Sequence, residues 1–108
     1  MAVVRLPADR IADWASFHSV CKEAFGFPDF YGENMNAFAD CLSYIDEGDG
    51  MSPITLQADE DLRIEIVGSV DFSVRNPEIL VALKDAVQLV NERFLERRMR
   101  ERVVIEYV

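Results

Sequence analysis

Apolar side chains at Trp14, Phe17, Val20, Cys21, Ala24 and Phe25 recur at spacings of three, three, one, three and one, which is one face of a helix. Asp13, just ahead of them, is the expected N-cap, a carboxylate free to accept the open N–H groups of a first turn, and Gly26 is the expected stop. A second helix is predicted after Asn34. Ala37, Phe38, Cys41, Leu42 and Ile45 form its buried face, and Asn36, Ala39, Asp40 and Ser43 the opposite one, before Glu47-Gly48-Asp49-Gly50 ends it in a loop. Asn76-Pro77 is a third start signal, a cap followed by proline at the first helical position. Leu80, Leu83, Val87, Val90 and Phe94 then mark a long helix of about five turns. Strands are predicted from Ala2 to Leu6, from Leu62 to Val67 where apolar and charged residues alternate, and from Arg102 to Val108. Ile54 to Gln57 either pairs with the second of these as an extra edge strand or stays an extended loop. The order is strand, two helices, strand, helix, strand. Helical crossovers of this kind predict an α/β fold with a small, mainly parallel three-stranded sheet packed with helices.

At 108 residues the chain is expected to form one domain over residues 1–108, and with half its residues apolar it can bury a core without staples. Its N-terminus reads as a strand and not as a signal peptide, and no apolar stretch approaches the ~20 residues of a membrane span. Cys21 and Cys41 both fall on apolar helix faces, so buried free thiols in a reducing cytoplasm are expected. Charge changes the picture more. Glu23, Asp29, Glu33, Asp40, Asp46, Glu47, Asp49, Asp59, Glu60 and Asp61 are ten carboxylates in a stretch without a lysine or arginine, and the chain as a whole carries −9. A one-signed patch of that kind speeds encounter with a basic partner and argues against nucleic acid as a direct ligand. Catalysis finds little support. His18 is the only histidine and borders the apolar face of the first helix; no serine or cysteine has an evident base partner. Two cysteines and one histidine make no zinc site at any usual spacing, and no cofactor is expected.

Within the acidic stretch, residues 27–42 read Phe27-Pro28-Asp29-Phe30-Tyr31-Gly32-Glu33-Asn34-Met35-Asn36-Ala37-Phe38-Ala39-Asp40-Cys41-Leu42. This segment resembles the signature of the barstar family, the intracellular inhibitors of barnase-type ribonucleases: an apolar residue, Pro, an acidic residue, two aromatics, Gly-Glu-Asn, then a helix with Asp-Cys-Leu. Most of the sixteen positions agree in identity or type. Residues 46–61 look like an insertion in a longer branch. The resemblance implies a barstar-like fold in which the loop and second helix plug a nuclease active site. Asp40 stands where a helix carboxylate meets the basic cluster that otherwise holds the RNA phosphate, and Phe30 where a ring packs on the enzyme. Asn36, Ala39 and Tyr44 complete the expected partner-binding set. Pro28, Tyr31, Gly32, Glu33 and Asn34 are expected to be structural. A further acidic contact falls near Glu92 or Glu96, without a firm choice between them.

The chain also departs from the pattern. Asn36 replaces an aspartate, Ala39 a large aromatic, and Phe30 lacks a tyrosine hydroxyl. These changes fit a basic nuclease other than barnase itself. Trp14, at helical spacing, reads as core, and the arginines from 97 to 102 as a solvated helix end suited to the dipole. The expectation is therefore a bacterial, cytoplasmic, non-enzymatic inhibitor of a basic ribonuclease, of the immunity or antitoxin kind and monomeric when free. The alternative is a barstar-fold interaction module for a basic protein that is not a nuclease.

Overall fold

The computed structural model describes residues 2–29, 31–43, 60–97 and 100–108. Strand β1 (Ala2–Pro7) leads through one turn of 3-10 helix to α1 (Trp14–Phe25) and α2 (Met35–Ser43). Strand β2 (Leu62–Val67) leads through α3 (Ser69–Arg75) and α4 (Pro77–Glu96) to β3 (Val103–Tyr107). The three strands form a parallel sheet in the order β1-β2-β3, with Ala2 opposite Leu62 and Leu62 opposite Val103. The α/β class and the parallel sheet are as the pattern of crossovers predicts. Ile54 to Gln57, read as an extra edge strand or an extended loop, lies outside the described residues.

Alternation along the strands sorts the two faces of the sheet. Val4, Leu6, Leu62, Ile64, Ile66 and Val103 are buried, while Arg5, Arg63, Glu65 and Glu106 alternate with them, Arg5 pairing with Glu65 at 3.4 Å and Arg63 with Glu106 at 3.8 Å across the strands. On the buried side, Phe17, Phe25, Phe38, Phe72 and Phe94 bring one ring from each of α3 and α4 and three from α1 and α2 into a common core. Cys21 and Cys41 are buried free thiols in that core, and burial pushes the Cys21 thiol pKa well above its ordinary value. Among the described residues, no helix is long and apolar enough to cross a membrane.

The caps explain where α1 sits. Asp13 Oδ1 accepts from Ser16 N at 2.8 Å while Ser16 Oγ accepts from Asp13 N at 3.0 Å, a reciprocal box closing the first turn. Gly26 ends the helix at φ 70, the left-handed conformation that glycine takes without steric cost.

Three expectations are corrected. Trp14 is not core: it begins α1 at the margin of the packed layer and is 41% exposed. The arginines after α4 are not simply a solvated end. Arg102 is 3% exposed, its guanidinium donating to Glu60 O at 2.7 Å and lying over the Phe94 ring, and Arg97 donates to Ser43 O at 2.7 Å. Arg100 pairs with Asp61. Asn76 precedes α4 as predicted but makes no side-chain cap; its amide donates to Ala12 O at 3.2 Å and so ties α4 to the start of α1.

Candidate partner-binding site

The segment between α1 and α2 is shaped by residues that point inward. Phe27 N donates to Lys22 O at 3.0 Å, and the Phe27 ring stacks on Phe25 at 5.2 Å. Tyr31 N donates to Pro28 O at 2.9 Å, which closes a tight turn. The Tyr31 ring is buried against Phe27, and its hydroxyl shares a 2.7 Å hydrogen bond with His18 Nδ1. Burial pushes the Tyr31 pKa up and holds the His18 pKa below its ordinary value, with the Glu33 carboxylate opposing the latter shift. Both groups therefore stay neutral at physiological pH.

Gly32 follows, where a Cβ would come within 3.3 Å of the Asn34 amide and 3.4 Å of Ala37 Cβ. Asn34 is the cap of α2: its Oδ1 accepts from Ala37 N at 2.8 Å and its Nδ2 donates to Gly32 O at 3.1 Å. Between them Glu33 adopts φ 51, a left-handed conformation uncommon for a non-glycine residue.

Helix α2 is nearly enclosed. Phe38 packs against Phe17, Phe25 and Phe27, while Ser43 faces α4, on which the helix packs. Asn36 and Asp40, one turn apart, are its exposed positions. Asp40 retains 59% of its side-chain exposure although Arg93 of α4 donates to its Oδ1 at 2.9 Å. The same Arg93 nitrogen reaches Ser43 Oγ at 2.9 Å, and Ser43 Oγ in turn donates to Ala39 O at 2.6 Å. Asp40, Ser43, Arg93, Glu96 and Arg97 line an open pocket of about 340 Å³. The surface around Asp40 is thus of mixed charge, two carboxylates interleaved with two guanidinium groups.

The structure brings Asn36 and Asp40 together on one exposed stripe. It does not bring Ala39 there: Ala39 is 1% exposed, and so is corrected from a contact position to a packing position. A two-sided periodicity cannot reveal a third element lying over the second side of a helix. Phe30 and Tyr44 lie outside the described residues. Glu96 lines the Asp40 pocket, whereas Glu92 accepts from Gln88 at 3.3 Å. Arg93 is the residue that sequence reasoning missed. It is 53 positions from Asp40, and no local pattern couples the two.

A model of the barstar family, described as barnase inhibitor, matches residues 1–106. No curated protein matches the chain.

Proposed function

The chain belongs to the barstar family, and from that membership we propose that it inhibits a basic, barnase-type ribonuclease made by the same cell. Asp40 carries the reading. It is an exposed carboxylate at the family's central position, on a helix whose one other exposed residue is Asn36, with one oxygen bonded by Arg93. It would stand in for an RNA phosphate among the cations of the nuclease active site, with Asn36 donating or accepting a hydrogen bond one turn away. The bulk of α2 and its preceding loop would exclude substrate sterically, and the −9 charge would steer the encounter. The protein performs no chemistry in this scheme, needs no cofactor and acts in the cytoplasm before the nuclease is exported.

The test is RNA cleavage by a barnase-type ribonuclease, and by any ribonuclease encoded beside this chain, titrated with wild-type protein and with Asp40→Ala. Stoichiometric inhibition that the substitution weakens by about 2–5 kcal/mol, the range for truncating one partner of a desolvated interfacial charge pair, is the expected result. Equal inhibition by both proteins would remove Asp40 from the contact. Salt-sensitive binding of a basic protein without any effect on RNA cleavage would favour the interaction-module reading instead.

A further inference from the structure

Beside the recognition loop, Trp14, Ala15, His18, Glu33, Asn34 and Met35 line a groove of about 510 Å³. Three features of this groove call for an occupant. Trp14, the single tryptophan of the chain, leaves 41% of its surface in solvent although it rests on His18 and Phe17. Glu33 also lines the groove, in a left-handed backbone conformation uncommon for a non-glycine residue. Among the described residues, no lysine or arginine pairs with its carboxylate. The groove is also continuous with the candidate interface, because Asn34 and Met35 open the helix that presents Asn36 and Asp40.

We propose that this groove takes one arginine side chain of the ribonuclease, its guanidinium lying against the Trp14 indole and donating to the Glu33 carboxylate. The proposal rests on the inhibitor reading and adds a second anchor to it. An aromatic wall with a carboxylate at its rim is complementary to a cation that carries flat apolar faces. Arginine meets both demands, since its planar guanidinium stacks on indole and offers paired donors, whereas the lysine ammonium is a compact and strongly hydrated charge. His18, kept neutral by burial, forms part of the wall without repelling the incoming charge. Met35 supplies an adaptable apolar surface for the arginine stem. A basic partner drawn in by the acidic surface would thus be held at two points, Asp40 at one and Trp14 with Glu33 at the other.

The experiment is inhibition of a barnase-type ribonuclease by wild-type protein, Trp14→Ala, Trp14→Phe and Glu33→Gln, at low salt and at 0.5 M salt, with a urea denaturation midpoint for each variant. Trp14→Ala and Glu33→Gln should each raise the inhibition constant about tenfold at low salt, and Trp14→Phe should raise it less. High salt should shrink the Glu33→Gln effect more than the Trp14→Ala effect. On the nuclease side, one arginine-to-alanine substitution should abolish both penalties. Wild-type inhibition with both variants within twofold, at unchanged denaturation midpoints, overturns the groove and leaves the inhibitor reading intact. A penalty at Trp14 with none at Glu33 overturns arginine in favour of an apolar occupant. Failure of the wild-type protein to inhibit overturns the inhibitor reading and the groove proposal with it.

Discussion

Arg93 donates at 2.9 Å to one oxygen of the carboxylate, Asp40, that the inhibitor reading assigns to a ribonuclease. The two side chains are 35% and 59% exposed, so solvent screens the pair and it contributes at most about 1 kcal/mol to stability. Its larger effect is on binding. Any partner cation approaching Asp40 also approaches Arg93 and is repelled by it, whereas Oδ2 and the free lone pairs of Asp40 can still accept. Replacing Arg93 by Gln leaves Ser43 Oγ bonded to Ala39 O, so the change creates no buried unsatisfied group there. Arg93→Gln should therefore leave the urea midpoint nearly unchanged and tighten inhibition of a basic nuclease several-fold at low salt, the difference fading as salt rises. Weaker inhibition by this variant would mean that Arg93 itself contacts an acidic group of the partner.

At the scale of elements, α2 packs on α4, and one ring joins it to α1. Phe38 is fully buried and meets three phenylalanines from α1 and the loop that follows it, at ring separations of 5.8 to 6.0 Å. Phe38→Ala should cost about 3–5 kcal/mol of folding stability, read from urea denaturation, because the cavity would sit where α1 and α2 meet. A loss below 1 kcal/mol would show that the helix is held mainly by α4. The sequence makes this element legible only in part. Capping residues and apolar spacing locate α1, β2 and the start of α4 because each signal is local, such as Asp13 with Ser16 or proline at residue 77. Helix α3 is hidden because one apolar anchor, Phe72, holds it, while Val70 and Val74 are 79% and 77% exposed and blur any periodicity. Its Asp71–Arg75 pair at 2.6 Å, one turn apart, is the signal that was available. The motif likewise singles out Asp40 and Asn36 as candidates, but the burial of Ala39, the contact with Arg93 and the exposure of Trp14 are set by tertiary packing that no local pattern carries.

Across the whole molecule, stability and charge respond to pH in opposite senses. Acidification from pH 7 reduces the −9 charge and with it the self-repulsion of the compact state, which alone would stabilise the fold. His18 works against this. It is 5% exposed, packed between Trp14, Phe17 and Tyr31, and its folded-state pKa lies below the value of about 6.5 that it has when unfolded. Between those two values the unfolded chain binds more protons than the folded one, so stability falls as pH falls. The contribution is intact above the unfolded value, declines below it, and is fully lost once the pH is under the folded value. Glu33 moderates the loss by favouring the imidazolium. His18→Asn, whose Oδ1 can replace Nδ1 as a partner for the Tyr31 hydroxyl, removes the titration while keeping a hydrogen-bonding group at that site. The urea midpoint of the wild-type protein should therefore drop between pH 7 and pH 5 relative to that of His18→Asn, measured side by side in matched ionic strength. Parallel pH profiles would mean that His18 takes up its proton in the folded state as readily as in the unfolded one, and that the aromatic cage around it opens enough to hydrate the charge.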